Sequence, residues 1–137
     1  MTVARDIMTP DVSCVGSTDS VSDAAATMAK LGVGSLPIVS GDGALIGVLT
    51  DRDIVVRVLA EGNDPNRVRA SELAQGDVVT IGADDDVADL LQTMARHRVR
   101  RLPVLDHGTL VGVVALADVA RAVSGPAGLV LEAVSER

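Results

Sequence analysis

The sequence predicts an α/β fold of the α+β, sandwich-like kind: two βαββα repeats packed with pseudo-twofold symmetry, each with a small three-stranded sheet and its helices. Three observations carry this. The chain repeats itself through most of its length, each copy alternates strand-like and helix-like apolar patterns, and turn residues fall at matching places in both copies.

Aligned with itself sixty-six residues on, the chain pairs Ala4 with Ala70, Asp11 with Asp77, Val12 with Val78, Gly16 with Gly82, Val21 with Val87 and Asp23 with Asp89. Thr27, Met28 and Ala29 then meet Thr93, Met94 and Ala95, and "LPI" from Leu36 meets "LPV" from Leu102. Beyond that the spacing is sixty-five, and Gly43, Leu45, Gly47, Val48 and Asp53 fall on Gly108, Leu110, Gly112, Val113 and Asp118. The lost residue separates "SGDGA" from "DHGT", where a hairpin loop absorbs it.

In chain order, short helical turns are expected at Val3 to Met8 and Ser71 to Ala74, ahead of each first strand. Val12 to Val15 reads as that strand in the first copy. Val21, Ala24, Ala25 and Met28 recur at helical spacing, with Ser20 placed to cap the helix and Gly32 to end it. Pro37 and Pro103 have no N–H to give to a ladder, so each belongs at a strand start or on an edge. A glycine-containing turn then leads into "ALIGVLT" or "TLVGVVA", and Asp51 to Leu59 and Leu116 to Val123 form the second helices. "EGNDPNRVR" over 61–69 reads as a linker. After Gly125, "LVLEAV" is either a small docked helix or a frayed end. The two domains are expected at 7–64 and 73–130.

Neither half, at about 60 residues, buries enough surface to be comfortably stable alone, so the two are expected to pack on each other. The core must come from Val, Leu, Ile, Ala and Met, because hydrophobic residues make up 47% of the 137 and aromatics 0%. A net charge of −7 and the absence of stacking rings argue against nucleic acid and anionic lipid as partners. Cys14, the single cysteine, permits no intrachain disulfide and no tetrahedral thiolate zinc site. "MTVARDIMTP" lacks the apolar run of a signal peptide and no apolar stretch of membrane-spanning length follows, so a cytoplasmic location without membrane association is expected.

The chemistry-bearing residues sit where the repeat writes one passage twice, "GVLTDRDI" at 47–54 and "GVVALADV" at 112–119. An "LP" strand, a turn, a glycine with two apolar residues, then Thr, two residues and Asp resembles the cystathionine β-synthase (CBS) domain. Two copies resemble a Bateman module, similar to the small stand-alone CBS-pair proteins of the hypoxic response protein type. The resemblance spans Ile7 to Val123 and implies adenine-nucleotide binding in clefts between repeats, the Asp accepting ribose hydroxyls with the Thr hydroxyl nearby. Carried over, it implies one ligand site from Thr50, Asp53, Ala74, Val79, Val99, Arg100 and Arg101. A second, weaker one combines Met8, Ser13, Val33, Gly34 and Asp118. Ala115 stands where the second site needs a hydroxyl, and no arginine precedes its "LP". Since ribose wants a fixed carboxylate and phosphate wants arginine donors, at most one good site per chain is expected.

Each residue also has a plainer reading. Thr50 and Asp53 have the spacing of a capping box at a strand-to-helix junction. Asp51 and Asp53, two apart on a helix, do not face each other and make a poor acid–base pair. Arg98, Arg100 and Arg101 are either phosphate donors or a solvated strand end, and a regular strand points Arg100 and Arg101 to opposite faces. His97 and His107 lack the spacing of a helical metal pair, which favours surface or turn roles. Cys14 reads as a small apolar residue, and Asp84 to Asp86 as helix-start stabilisation.

The expectation is therefore a non-enzymatic sensor that requires no cofactor and no metal. Its candidate ligands are AMP, ADP, ATP and S-adenosylmethionine; the resemblance further implies a homodimer, with a regulated protein as a further partner. The alternative is a homodimeric structural or interaction module whose ligand site has degenerated.

Overall fold

The computed structural model describes residues 2–74 and 78–123. Asp77 and the "LVLEAV" segment lie outside them. In chain order the elements are α1 (Ala4–Ile7), β1 (Thr9–Pro10), β2 (Val15–Gly16), α2 (Val21–Leu31), β3 (Ser35–Val39), β4 (Leu45–Thr50) and α3 (Asp51–Asp53), which runs on as a π-helix over Ile54–Leu59. A 3₁₀ turn at Ala70–Leu73 is followed by β5 (Ile81–Gly82), α4 (Val87–His97), β6 (Arg101–Asp106), β7 (Thr109–Ala115) and α5 (Leu116–Ala122).

The chain forms two compact units, one of residues 13–78 and the other of residues 1–12 with 79–137. This division differs from the sequence repeat, because the leading turn of each repeat packs with the other repeat's sheet. Ala4 and Ala70 are both fully buried, in different cores. Their backbones are held alike: Ala4 and Arg5 donate to Asp85 O and Ala83 O at 2.8 and 2.9 Å, while Ala70 and Ser71 donate to Asp19 O and Ser17 O at 2.9 and 3.0 Å.

In the 13–78 unit the sheet order is β2-β3-β4, with β2 parallel to β3 and β3 antiparallel to β4. The first strand is later and shorter than the expected Val12 to Val15. Only Val15 and Gly16 pair with β3, and the Gly16 N–H turns to the Asp19 carboxylate at 2.8 Å. Helix α2 starts where Ser20 Oγ accepts the Asp23 N–H at 3.0 Å and ends in a left-handed Gly32, with Val21, Ala24 and Met28 facing the core. The linker is tied down: Val21 and Ser22 donate to Val68 O and Pro65 O at 2.8 and 3.0 Å, which satisfies helix-start donors.

In the other unit the sheet order is β1-β7-β6-β5, four strands where three are expected from the repeat. The added strand is β1, antiparallel to β7 through Thr9 with Val113 and Pro10 with Gly112. Positions 75 and 76, which match β1 in the repeat, lie outside the described residues. Helix α4 is capped by Asp86, whose carboxylate accepts the Asp89 N–H at 2.9 Å, and ends in a left-handed Arg98 where α2 has glycine.

Both prolines of the "LP" pairs are buried within their strands, Pro37 opposite Val48 and Pro103 opposite Val113. Among the described residues every buried side chain is apolar. Chemistry is thus confined to surfaces and to the strand-to-helix junctions.

Candidate functional site

The first junction is β4 into α3. Thr50 closes the strand in an extended conformation, and its Oγ1 accepts the Asp53 N–H at 3.0 Å. In return Asp53 Oδ2 accepts the Thr50 N–H at 3.1 Å, completing a capping box. Both are half-buried, and this use leaves Asp53 Oδ1 without a protein donor among the described residues. The Asp51 N–H donates to Gly34 O at 2.9 Å, which binds the helix start to the residue before β3.

The second junction, β7 into α5, keeps half of this. The Ala115 N–H donates to Asp118 Oδ2 at 2.8 Å, but no hydroxyl returns the bond. Asp118 Oδ1 is occupied by the Arg121 guanidinium. Leu116 donates to Arg100 O at 2.7 Å, matching the Asp51 to Gly34 bond.

Gly47 and Gly112 lie three residues before Thr50 and Ala115. A Cβ on Gly47 would stand 2.9 Å from Ala74 Cβ, and one on Gly112 would stand 2.6 Å from Met8 Sδ and 2.7 Å from Thr9 O. The expected site residues Ala74 and Met8 are thus seated against the strand leading to each aspartate.

The structure puts Ser13, Val33, Gly34, Thr50, Asp53 and Ala74 in the 13–78 unit, and Met8, Val79, Val99, Arg100, Arg101 and Asp118 in the other. Each expected site therefore draws on both. Val79 and Val99 pack against the core, whereas Ser13, Val33, Gly34, Arg100 and Arg101 are exposed. Arg101 opens β6 opposite Ala115, and neither Arg100 nor Arg101 makes an ion pair among the described residues.

Residues 4–60 and 70–125 each match the CBS domain. The chain belongs to the CBS-domain family. Its similarity to hypoxic response protein 1 of Mycobacterium tuberculosis is 46% identity over 121 residues, 88% of this chain and 85% of that protein. The CBS domain-containing protein YhcV of Bacillus subtilis is 39% identical over 120 residues, 88% of this chain and 84% of that one. Among solved structures, hypoxic response protein I with two coordinated zinc ions superposes with a TM-score of 0.82 at 44% identity, covering 90% of this chain and all of that one. CBSX2 in complex with AMP shares the fold at a TM-score of 0.75 and 24% identity, over 89% of this chain and 96% of that one.

For a CBS pair, the remaining polar residues do structural work. The acidic run is divided among roles: Asp86 caps α4, Asp85 accepts the Gly82 N–H at 2.8 Å, and Asp84 stands 3.7 Å from Arg5. Arg5 also donates to Asp106 at 3.0 Å, and His107 Nδ1 is 2.7 Å from the same carboxylate. These two partners hold the Asp106 carboxyl below the usual carboxylate range, and Asp106 in turn raises Arg5. His107 occupies a left-handed turn position between β6 and β7, and His97 is the exposed last residue of α4.

Cys14 is half-buried and burial pushes its thiol up, away from the thiolate a metal prefers. Among the described residues no three His, Cys, Asp or Glu side chains converge as metal ligands. No helix among them is long and apolar enough to cross a membrane.

Among the arginine contacts not anticipated from sequence are Arg5 with Asp106, Arg57 Nη1 with Leu73 O at 2.9 Å, and Arg121 with Asp118. Only the last had a local signal, an acid and a base three apart on one helix.

Proposed function

We propose that this CBS pair is a non-enzymatic regulatory sensor that binds an adenine nucleotide or related adenosyl ligand, with Asp53 as the ribose acceptor and Thr50 holding it in place. The observation that carries the reading is the half-used carboxylate. Oδ2 is fixed by the capping box, so Oδ1 is positioned at no further cost for a diol donor. Capping and ligand contact are compatible roles for one side chain. Ala74, Val79 and Val99 supply the apolar part of the site, and Arg100 with Arg101 the phosphate donors, as the family resemblance implies. AMP, ADP, ATP and S-adenosylmethionine are the ligands to try, AMP first because CBSX2 has been captured with it.

A homodimer accompanies this reading. Leu31, Val33, Val55, Val56 and Leu59 are between 42% and 55% exposed, an apolar set in the first repeat that a second copy would cover. The same set favours the alternative, an interaction module without a working ligand site.

Calorimetry separates the two. Heat on titrating AMP into the full chain, lost in Asp53→Ala, supports the sensor. No heat from any of the four ligands at millimolar concentration leaves the interaction module as the reading.

A further inference from the structure

The two junction aspartates differ in what their second oxygen does. Asp118, with a side chain 14% exposed, has Oδ1 held by the guanidinium of Arg121, one helical turn further along α5. Asp53 has no such partner among the described residues. Burial aligns the helices that follow: Ile54 and Val58 face one core, and Val119 and Val123 pack against the other, so the counterpart of Arg121 is Val56. Val56 is exposed and cannot pair with a carboxylate. The arginine of the first repeat comes one residue later, at Arg57, on the wider turn of a π-helix, and donates to Leu73 O at 2.9 Å instead.

We propose that Arg121 sets the number of ligand sites: its ion pair withdraws Asp118 from ribose recognition and leaves Asp53 as the working acceptor. This rests on the reading of Asp53 given above. The chemistry is competition for one oxygen. A guanidinium offers charged donors already within the helix, whereas a ribose hydroxyl is a neutral donor that must displace them. The first repeat avoids the competition by carrying valine at that place and by turning its arginine to a carbonyl. The missing hydroxyl at Ala115 weakens the second junction, and Arg121 closes it.

The probe is AMP, titrated calorimetrically into the full chain as wild type, Arg121→Val and Asp118→Ala/Arg121→Val. In parallel, carbodiimide labelling of Asp118 without nucleotide is read by mass spectrometry. Expected are one AMP per wild-type chain and two for Arg121→Val. The second site should gain affinity by up to about fivefold, as expected for loss of a partly exposed ion pair, and vanish in the double variant. Asp118 labelling should rise severalfold in Arg121→Val. Unchanged labelling overturns the proposal whatever AMP does. Raised labelling with one AMP bound by both proteins overturns it while the Asp53 reading stands. Raised labelling with no AMP bound by either overturns that reading and the proposal with it. Binding only in Arg121→Val, dependent on Asp118, overturns the Asp53 reading and upholds the role of Arg121.

Discussion

Thr50 and Asp53 hold each other by two reciprocal hydrogen bonds, Asp53 N–H to Thr50 Oγ1 at 3.0 Å and Thr50 N–H to Asp53 Oδ2 at 3.1 Å. Removing the accepting oxygen of either should therefore cost stability even without ligand. Thr50→Ala is expected to lose about 1 kcal/mol, the usual worth of a cap. Asp53→Asn keeps an amide oxygen for the Thr50 N–H, so it should unfold close to wild type in urea yet bind AMP about tenfold more weakly, as expected for loss of a charge-assisted hydrogen bond. Equal losses of stability and binding in Asp53→Asn would make the pair purely structural.

The glycines before the junctions have no room to grow. Gly112→Ala puts a methyl 2.7 Å from the Thr9 backbone oxygen, where β1 pairs with β7, and should cost about 1–3 kcal/mol or more in denaturant unfolding. Gly47→Ala meets Ala74 at 2.9 Å and should cost a similar amount. Wild-type midpoints for both would mean that the leading segments are not seated as described.

Helices α2 and α4 end in one motif with different residues, left-handed Gly32 and left-handed Arg98. A side chain in that conformation costs about 1 kcal/mol, so Arg98→Gly should stabilise the protein by up to about that much. Thermal unfolding reads the change, and a lowered midpoint would contradict it.

Asp106 titrates below its ordinary 3.8 because Arg5 and His107 favour its charged form. A group lowered in the folded state contributes stability that is present above its unfolded value and lost as pH falls through the folded one. Stability should decline on acidification below about pH 4, and Asp106→Asn should flatten that decline while lowering stability at neutral pH. Urea midpoints measured at several pH values for both proteins test it; parallel curves would remove Asp106 from the acid response.

The repeat made the fold readable. Two matched copies with prolines, glycines and helix caps in register specify the order of elements, and Ser20, Gly32 and Thr50 do locally what their residue types predict. Long-range partnership was hidden. Nothing near Thr9 and Pro10 announces that they join β7, and nothing near Arg57 points to Leu73 O, because both contacts depend on packing. The short, late β2 differs from expectation for a related reason: Val12 and Val15 look alike in a pattern, but it is Val15, with Gly16, that forms the ladder with β3.

The exchange of leading turns has a consequence for the order of assembly. Residues 13–78 form a continuous compact unit, which the ribosome delivers in one piece. Residues 2–12 are made earlier but find their partners only when β7 and α4 have been synthesised. A segment made before its partners is thus among the last to settle, and until then the buried Ala4 and the edge of β1 stay exposed to proteases and to other nascent chains.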